Sequence, residues 1–226
     1  MASSPRCFAA LALSMALTAC SPWQADASPT ASAIADASAG EVSSDRAKSI
    51  GASTPSSPAR QDDGVAALAK SLHLRCEHAA EGSGCVAGNV DTGDFYDVEM
   101  SPRCDADGNF AGVAERNATL LDALPVTGSN AQVAATLSDG QFVCILATAR
   151  AGQHAAYHYV VAIPPASVSA CQGKAICKQY GQRRVDFVTQ RKQGRQCSIA
   201  GNARPDGDCA QGWIQSQKLD VFANGL

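Results

Sequence analysis

The sequence predicts a mainly β fold: a small β-barrel or sandwich, stapled by disulfides and preceded by a short N-terminal helix. Three observations carry this. From Cys76 onward, short apolar runs alternate with Gly, Asp and Asn, the punctuation of strands and tight turns. Two adjacent runs, Gln141 to Ala147 and Ala156 to Ile163, are apolar enough to form the centre of a sheet. The cysteines number 10, many of them paired closely along the chain.

The N-terminus is read as export machinery. Met1 to Ala19 has Arg6 early, an apolar run from Phe8 to Leu17, then small residues, which is the layout of a signal segment. That run falls short of the roughly 20 apolar residues a membrane span needs. Ser21 to Gln61 is mostly Ala, Ser, Pro, Thr and Asp, with too little apolar surface to offset chain entropy, and is expected to be a tether. As a flexible coil it spans about 35 Å, and stretched it reaches ~140 Å.

The folded domain is expected at 62–226, a size that suits one domain. Asp62-Asp63 is expected to cap a helix over Gly64 to Leu72, with Val65, Leu68 and Leu72 on one face. Strands are expected at Phe95 to Met100 (with Tyr96, Val98 and Met100 on one face), Phe110 to Arg116, Ala118 to Val126 and Gln132 to Leu137. Ser138-Asp139-Gly140 is a turn signal ahead of the central strand. In Gln141 to Ala147 apolar residues occupy both parities, so both faces should be covered. Its partner run stops at Pro164-Pro165, which cannot donate to a ladder. Ala166 to Cys177 is expected to be a turn or short helix. Arg184 to Gln190 alternates as a strand, and Gly212 to Ile214 with Lys218 to Phe222 closes the chain as two short strands.

With Cys7 in the signal and Cys20 beside it, eight cysteines remain: Cys76, Cys85, Cys104, Cys144, Cys171, Cys177, Cys197 and Cys209. An even set in an exported chain reads as a disulfide framework in an oxidising compartment. Eight cysteines allow 105 pairings, so connectivity is not deducible. Proximity favours Cys76–Cys85, Cys171–Cys177 and Cys197–Cys209, leaving Cys104–Cys144 to bridge strands.

Leu17-Thr18-Ala19-Cys20 resembles the lipobox of bacterial lipoproteins. The resemblance implies cleavage before Cys20 and acylation of that cysteine, giving a membrane anchor whose several chains each gain about 0.8 kcal/mol per buried CH₂. Ser21, where inner-membrane lipoproteins tend to carry Asp, implies the periplasmic face of the outer membrane. Two further pieces resemble the bacterial SH3-like (SH3b) family. In Asn130 to Leu146, Val133 to Leu137, Ser138-Asp139-Gly140 and Gln141-Phe142-Val143 are similar to that family's strand, "L-x-x-G" hairpin turn and next strand. Gly212-Trp213-Ile214 with Leu219-Asp220-Val221 is similar to its closing segment. The SH3-like portion is therefore placed at 130–163 and 212–222. The family implies binding of peptidoglycan or peptides without catalysis.

Chemistry-bearing patterns are few. His154 and His158 have zincin spacing, but Ala155 stands where the Glu belongs, and on a strand the two are about 13 Å apart. There is no C-x-x-C, and no metal site is expected. Asp105-Ala106-Asp107-Gly108-Asn109 places oxygens as a calcium loop does. However, Phe110 and Arg116 occupy the positions of the required Gly and Glu, so a hairpin turn is expected. There is no G-x-S-x-G, and an even cysteine set leaves no nucleophilic thiol; Gly82-Ser83-Gly84 reads as a turn inside a Cys76–Cys85 loop. Asp94, Asp97 and Glu99 read as a solvated strand face. No catalytic residue is assigned, and nothing marks a nucleotide, haem or flavin site, so no cofactor is expected.

Charge is laid out unevenly beneath an overall −3. Acids dominate 77–107: Glu77, Glu81, Asp91, Asp94, Asp97, Glu99, Asp105 and Asp107. Bases dominate 174–195. Of these, Arg183, Arg184, Arg191, Lys192 and Arg195, with Tyr180 among them, are the candidate partner-binding residues. An exported lipoprotein does not routinely meet nucleic acid, so the expected partner is a protein or peptidoglycan. The first expectation is a non-catalytic inhibitor or immunity-type lipoprotein, with a wall-binding module second and a small envelope hydrolase third.

Overall fold

The computed structural model of the chain describes residues 59–190, 192, 194–199, 204–223 and 225–226. The expected signal segment, Cys20 and the tether up to residue 58 lie outside these, as does Arg191.

Helix α1 (Ala59–Ser71) starts before the expected cap, so Asp62 and Asp63 lie inside it. Ala59, Arg60 and Gln61 tolerate helix well enough to extend it backwards. Leu68 and Leu72 turn towards the core. The helix ends on His73 at φ 57°, with the Leu74 N–H reaching the Ala69 carbonyl at 3.0 Å and the His73 N–H reaching Lys70 at 3.1 Å. This is a Schellman stop made without glycine.

Strands β1 (Arg75–His78) and β2 (Ser83–Ala87) form a hairpin in which Cys76 faces Cys85. There follow β3 (Tyr96–Met100), β4 (Asn109–Val113), β5 (Ala118–Leu121) and β6 (Val133–Leu137). The long pair β7 (Phe142–Ala151) and β8 (His154–Ala162) turns on Gly152-Gln153. Gly152 has φ 61° and Gln153 does not, the pattern of a two-residue turn that needs glycine first. The chain continues through β9 (Val185–Phe187), β10 (Ser198–Ile199), β11 (Pro205–Asp206), β12 (Gln211–Gln215) and β13 (Leu219–Val221).

All pairings between these strands are antiparallel, in the order β1-β2-β3-β7-β8-β12-β5-β6-β9, with β10 and β11 paired apart. Strand β7 changes partner along its length. Phe142 to Ile145 pair with β4, and Ala147 to Arg150 pair with β3. Register shifts against β8 fall at Ile145/Ala147 and Ala149/Arg150, where the added twist of a bulge lets one strand serve two neighbours. A 3₁₀ turn, Ser216–Lys218, carries the chain from β12 to β13, which pairs with β4.

The core has two parts, one on each face of β7. Phe142, Cys144 and Leu146 join Tyr159, Val161, Phe110, Val98 and Trp213 in one. Val143 and Ile145 join Val160, Ala162, Ala111, Val113, Leu120, Leu137 and Ile214 in the other. Every residue from Gln141 to Ala147 is buried, as the double parity of apolar residues predicts. Phe142 stacks on Phe110 with ring centroids 5.3 Å apart, and Tyr159 meets Trp213 edge-on at 5.4 Å. Four disulfides join Cys76–Cys85, Cys104–Cys144, Cys171–Cys177 and Cys197–Cys209. The fold is a small, mainly β, sandwich-like domain, and its disulfides mark an oxidising, extracytoplasmic environment. Among the described residues no helix is long and apolar enough to cross a membrane.

The structure corrects several local expectations. Gly82-Ser83-Gly84 does not form a simple turn, because Ser83 and Gly84 belong to β2. The turn at Ser138-Asp139-Gly140 does not make a hairpin. Strand β6 pairs with β5 and β9, and β7 with β3, β4 and β8, so the turn hands the chain from one part of the sheet to another. Strand β4 stops at Val113, before Asn117 with φ 57°, and β5 stops at Leu121, where the Asp122 carboxylate takes the Gln132 N–H at 2.7 Å. Strand β9 covers only the first half of the run expected at Arg184 to Gln190.

Candidate functional site

The basic stretch reaches the surface in the long connection between β8 and β12. Pro164-Pro165 ends β8, two 3₁₀ turns follow, and the four-residue helix α2 (Ile176–Gln179) is clamped by Cys171–Cys177. The chain then passes Gly140, where the Gly181 N–H donates to the Gly140 carbonyl at 2.9 Å and the Phe142 N–H to the Gly181 carbonyl at 2.9 Å. Buried Gln141 fixes what comes next: its Nε2 donates to the Phe142 carbonyl and its Oε1 accepts the Arg183 N–H, both at 2.8 Å. Ser138 Oγ donates to the Arg184 carbonyl at 2.8 Å. Main-chain bonds at Gly181 and side-chain bonds with Gln141 and Ser138 thus hold 181–184, where no strand forms.

Beyond β9, Thr189 Oγ1 donates to the Val133 carbonyl at 3.0 Å, and Gln190 joins the Cys209 carbonyl (2.7 Å) to the Gln211 N–H (3.1 Å). The Asp208 carboxylate accepts the N–H groups of Gly194 (2.7 Å) and Arg195 (3.1 Å), and Cys197–Cys209 closes the segment.

Between the end of β8 and this connection lies a groove of about 390 Å³. Its apolar floor is Ala162, Ile163, Val185, Phe187 and Ala210, largely the outer margin of one core cluster. Its rim carries Arg183, Lys192 and Arg195. Its lining is as polar as it is apolar, and a concavity with convergent polar groups is one form a binding site takes.

The rim cations differ in their engagement. Arg195 pairs with Asp206 at 3.2 Å. Lys192 holds its ammonium 4.4 Å from the centre of the Phe187 ring, a cation–π contact. Arg183 donates to the Gln179 carbonyl at 3.3 Å. Neither Arg183 nor Lys192 makes an ion pair among the described residues. Arg184 stands outside the groove, strongly exposed and 2.9 Å from Asp186.

Tyr180 does not join them. It is only 7% exposed, packs on Phe222 at 5.2 Å, and donates its hydroxyl to Asp220 at 2.6 Å. That hydrogen bond and burial push the phenol up to about 12. Its ring fills the space over Gly112, where a Cβ would lie 1.9 Å from a ring carbon. Tyr180 therefore acts as a packing residue that anchors the start of the basic segment.

The remaining patterns resolve into structural contacts. Asp105 is held by Arg103 Nε at 2.8 Å and by the Asp107 N–H at 3.2 Å, a turn that leaves its carboxylate engaged. Burial raises that carboxyl, but the bonds from Arg103 and the Asp107 N–H, with the Arg103 charge, together outweigh it and leave it below its ordinary value. Asp94 accepts the Thr127 N–H, with the Thr92 hydroxyl and the Asn89 N–H behind it, and sits well below the ordinary carboxylate range. Both carboxyls are thus held ionised, whereas a general acid needs the opposite shift. His154 is exposed on β8, while His158 is buried with its Nδ1 3.0 Å from Thr148 Oγ1. Burial, aided by Arg150, lowers His158 to about 4. Among the described residues no group of three His, Cys, Asp or Glu is placed to hold a metal ion.

The acidic stretch 77–107 lies around β1, β2 and β3, at the opposite end of the strand order from β9. No ion pair among the described residues links the two stretches. Sequence reasoning missed the floor of the groove. Ala162, Ile163 and Ala210 are far apart in the chain from Val185 and Phe187, and Gln141 carries no local signal of its role. Compared with protein-family models, curated proteins and solved structures, the chain has no match.

Proposed function

We propose that this chain is a lipid-anchored binding protein of the outer membrane's periplasmic face, acting without catalysis as an inhibitor or immunity-type lipoprotein against an envelope- or wall-targeting protein. The observation that carries this reading is the groove. It has an apolar floor, two rim cations with no carboxylate partner among the described residues, and walls fixed by a disulfide and buried hydrogen bonds. Preorganised walls reduce the ordering cost of binding, and an uneven field steers an acidic partner. Cys20 supplies the anchor and the tether places the domain away from the membrane.

A second reading has its own support. The Gly212-Trp213-Ile214 and Leu219-Asp220-Val221 pieces fall on β12 and β13, joined by a 3₁₀ turn and returned to β4. This order is consistent with an SH3-like portion and favours peptidoglycan as ligand.

Affinity capture with the disulfide-intact protein separates the two. The protein-binding reading expects one stoichiometric protein that elutes with salt and is lost when Arg183→Glu and Arg184→Glu are combined. Retention on purified peptidoglycan alone, indifferent to those substitutions, overturns it in favour of the wall-binding reading.

A further inference from the structure

The position of β9 narrows what the groove accepts. Strand β9 is the last strand of the sheet, paired with β6 on one side. Among the described residues no strand pairs with its other edge, which offers backbone groups to an incoming extended chain. Val185 and Phe187, two residues apart on β9, both line the groove and give it a period of two.

The two rim cations that make no ion pair among the described residues stand near opposite ends of this strand. Arg183 lies just before it, and Lys192 sits over Phe187 at its end. Arg183 and Phe187 are four residues apart, about 13 Å in extended chain. The Arg183 side chain runs past Gly140 and Gly181. A Cβ at Gly140 would lie 3.1 Å from its Nε, a tight approach, so the glycine there clears its path. Arginine's planar fork suits a carboxylate, and a lysine stacked on a ring holds a single charge in place. Two separated cations with apolar floor between them match two separate carboxylates with an apolar group between. One compact, multiply charged anion does not span that distance.

Resting on the reading of this groove as a protein-binding site, we infer that it takes an extended acidic segment of the partner, with carboxylates at positions i and i+4 and an apolar side chain at i+2. These three positions share one face of an extended chain. The carboxylates meet Arg183 and Lys192, and the apolar side chain covers Ala162, Val185 and Ala210.

The test is titration of the oxidised protein with a capped Asp-Ser-Leu-Ser-Glu peptide, followed by calorimetry and by amide shifts. A reordered peptide, Ser-Asp-Glu-Leu-Ser, has the same composition but lacks the shared face. The expected result is salt-sensitive binding of the first peptide, at least tenfold weaker binding of the second, and at least a tenfold loss with either Arg183→Glu or Lys192→Glu. Unchanged circular dichroism and an absence of free thiols certify that each variant is folded. Equal binding of both peptides, or indifference to both substitutions, overturns the inference. So does displacement by a soluble peptidoglycan fragment at equal concentration. If a whole partner protein is captured through Arg183 and Arg184 while the peptide fails to bind, the extended-segment inference falls and the protein-binding reading stands. If capture and peptide both fail, both fall.

Discussion

The β7–β8 hairpin and the connection from Pro164 to Ala210 hold their shapes by different means. The hairpin is buried on both faces of β7 and paired along nearly its whole length, so apolar contact and ladder bonds position each residue. Among its described residues the connection has three short strands and a four-residue helix, and few of their side chains are buried. It is fixed by two disulfides, by Gln141 and Gln190, and by the Lys192–Phe187 contact. A surface that must remain open to a partner cannot be positioned by burying it. Here covalent and polar staples do what the core does elsewhere, and the candidate site lies where they are concentrated.

Substitutions should separate the two regions in order of size. Phe142→Ala removes a ring with no exposed surface, stacked on Phe110, and should cost about 3–5 kcal/mol. Urea unfolding followed by near-UV circular dichroism should show one transition at lower midpoint. A loss confined to the connection would break the comparison.

The next effect depends on pH. Burial holds His158 at about 4, against its ordinary value near 6.5, so the folded protein binds that proton less readily than the unfolded chain. The stability this confers is fully present above about 6.5 and is lost as pH falls towards 4, in total about 3 kcal/mol. Denaturant midpoints measured from pH 7 to pH 4 should decline, and His158→Gln should flatten that decline. An unchanged slope in the variant would assign the acid lability elsewhere.

Removing the Cys197–Cys209 bridge with paired serine substitutions frees a loop of 12 residues, worth roughly 3 kcal/mol by chain entropy. The loss should be local. Amides of β10, β11 and residues 194–197 should exchange faster, partner binding should fall, and β7 and β8 should keep their protection. Equal deprotection of β7 would show that the connection and the hairpin unfold as one unit. The smallest effect belongs to Arg184→Ala, which breaks an exposed pair with Asp186 and should change stability by less than ~0.5 kcal/mol. It serves as the control that charge removal outside the groove leaves folding intact.

The same contrast decides what the sequence reveals. The central strands are legible because apolar residues at both parities, bounded by Gly and Pro, admit few alternatives. The capping of the first helix was less so, since Ala59, Arg60 and Gln61 carry no stop signal. Strand β1 escaped notice because Arg75, Glu77 and His78 are mostly exposed on an edge, where periodicity fades. The turn at Ser138-Asp139-Gly140 is visible locally, but a turn does not state which strand its neighbours will join, and β6 and β7 part company there. Of the candidate site, the cations were legible as a charge run. Tyr180 was grouped with them by proximity, although Gly112 and Asp220, far away in sequence, draw it inside. The floor of the groove depends on long-range pairing that no local pattern encodes.

All four bridges connect neighbouring cysteines in chain order, with separations of 9, 40, 6 and 12 residues. For a chain that enters an oxidising compartment N-terminus first, each odd-numbered thiol of the folded part finds its partner in the next one to emerge. Three of those encounters are short, and even the longest costs only about 1.6 kcal/mol more in loop closure than the shortest. Oxidation that simply keeps pace with translocation therefore yields the native set, and an oxidase suffices where a scrambled arrangement would demand an isomerase.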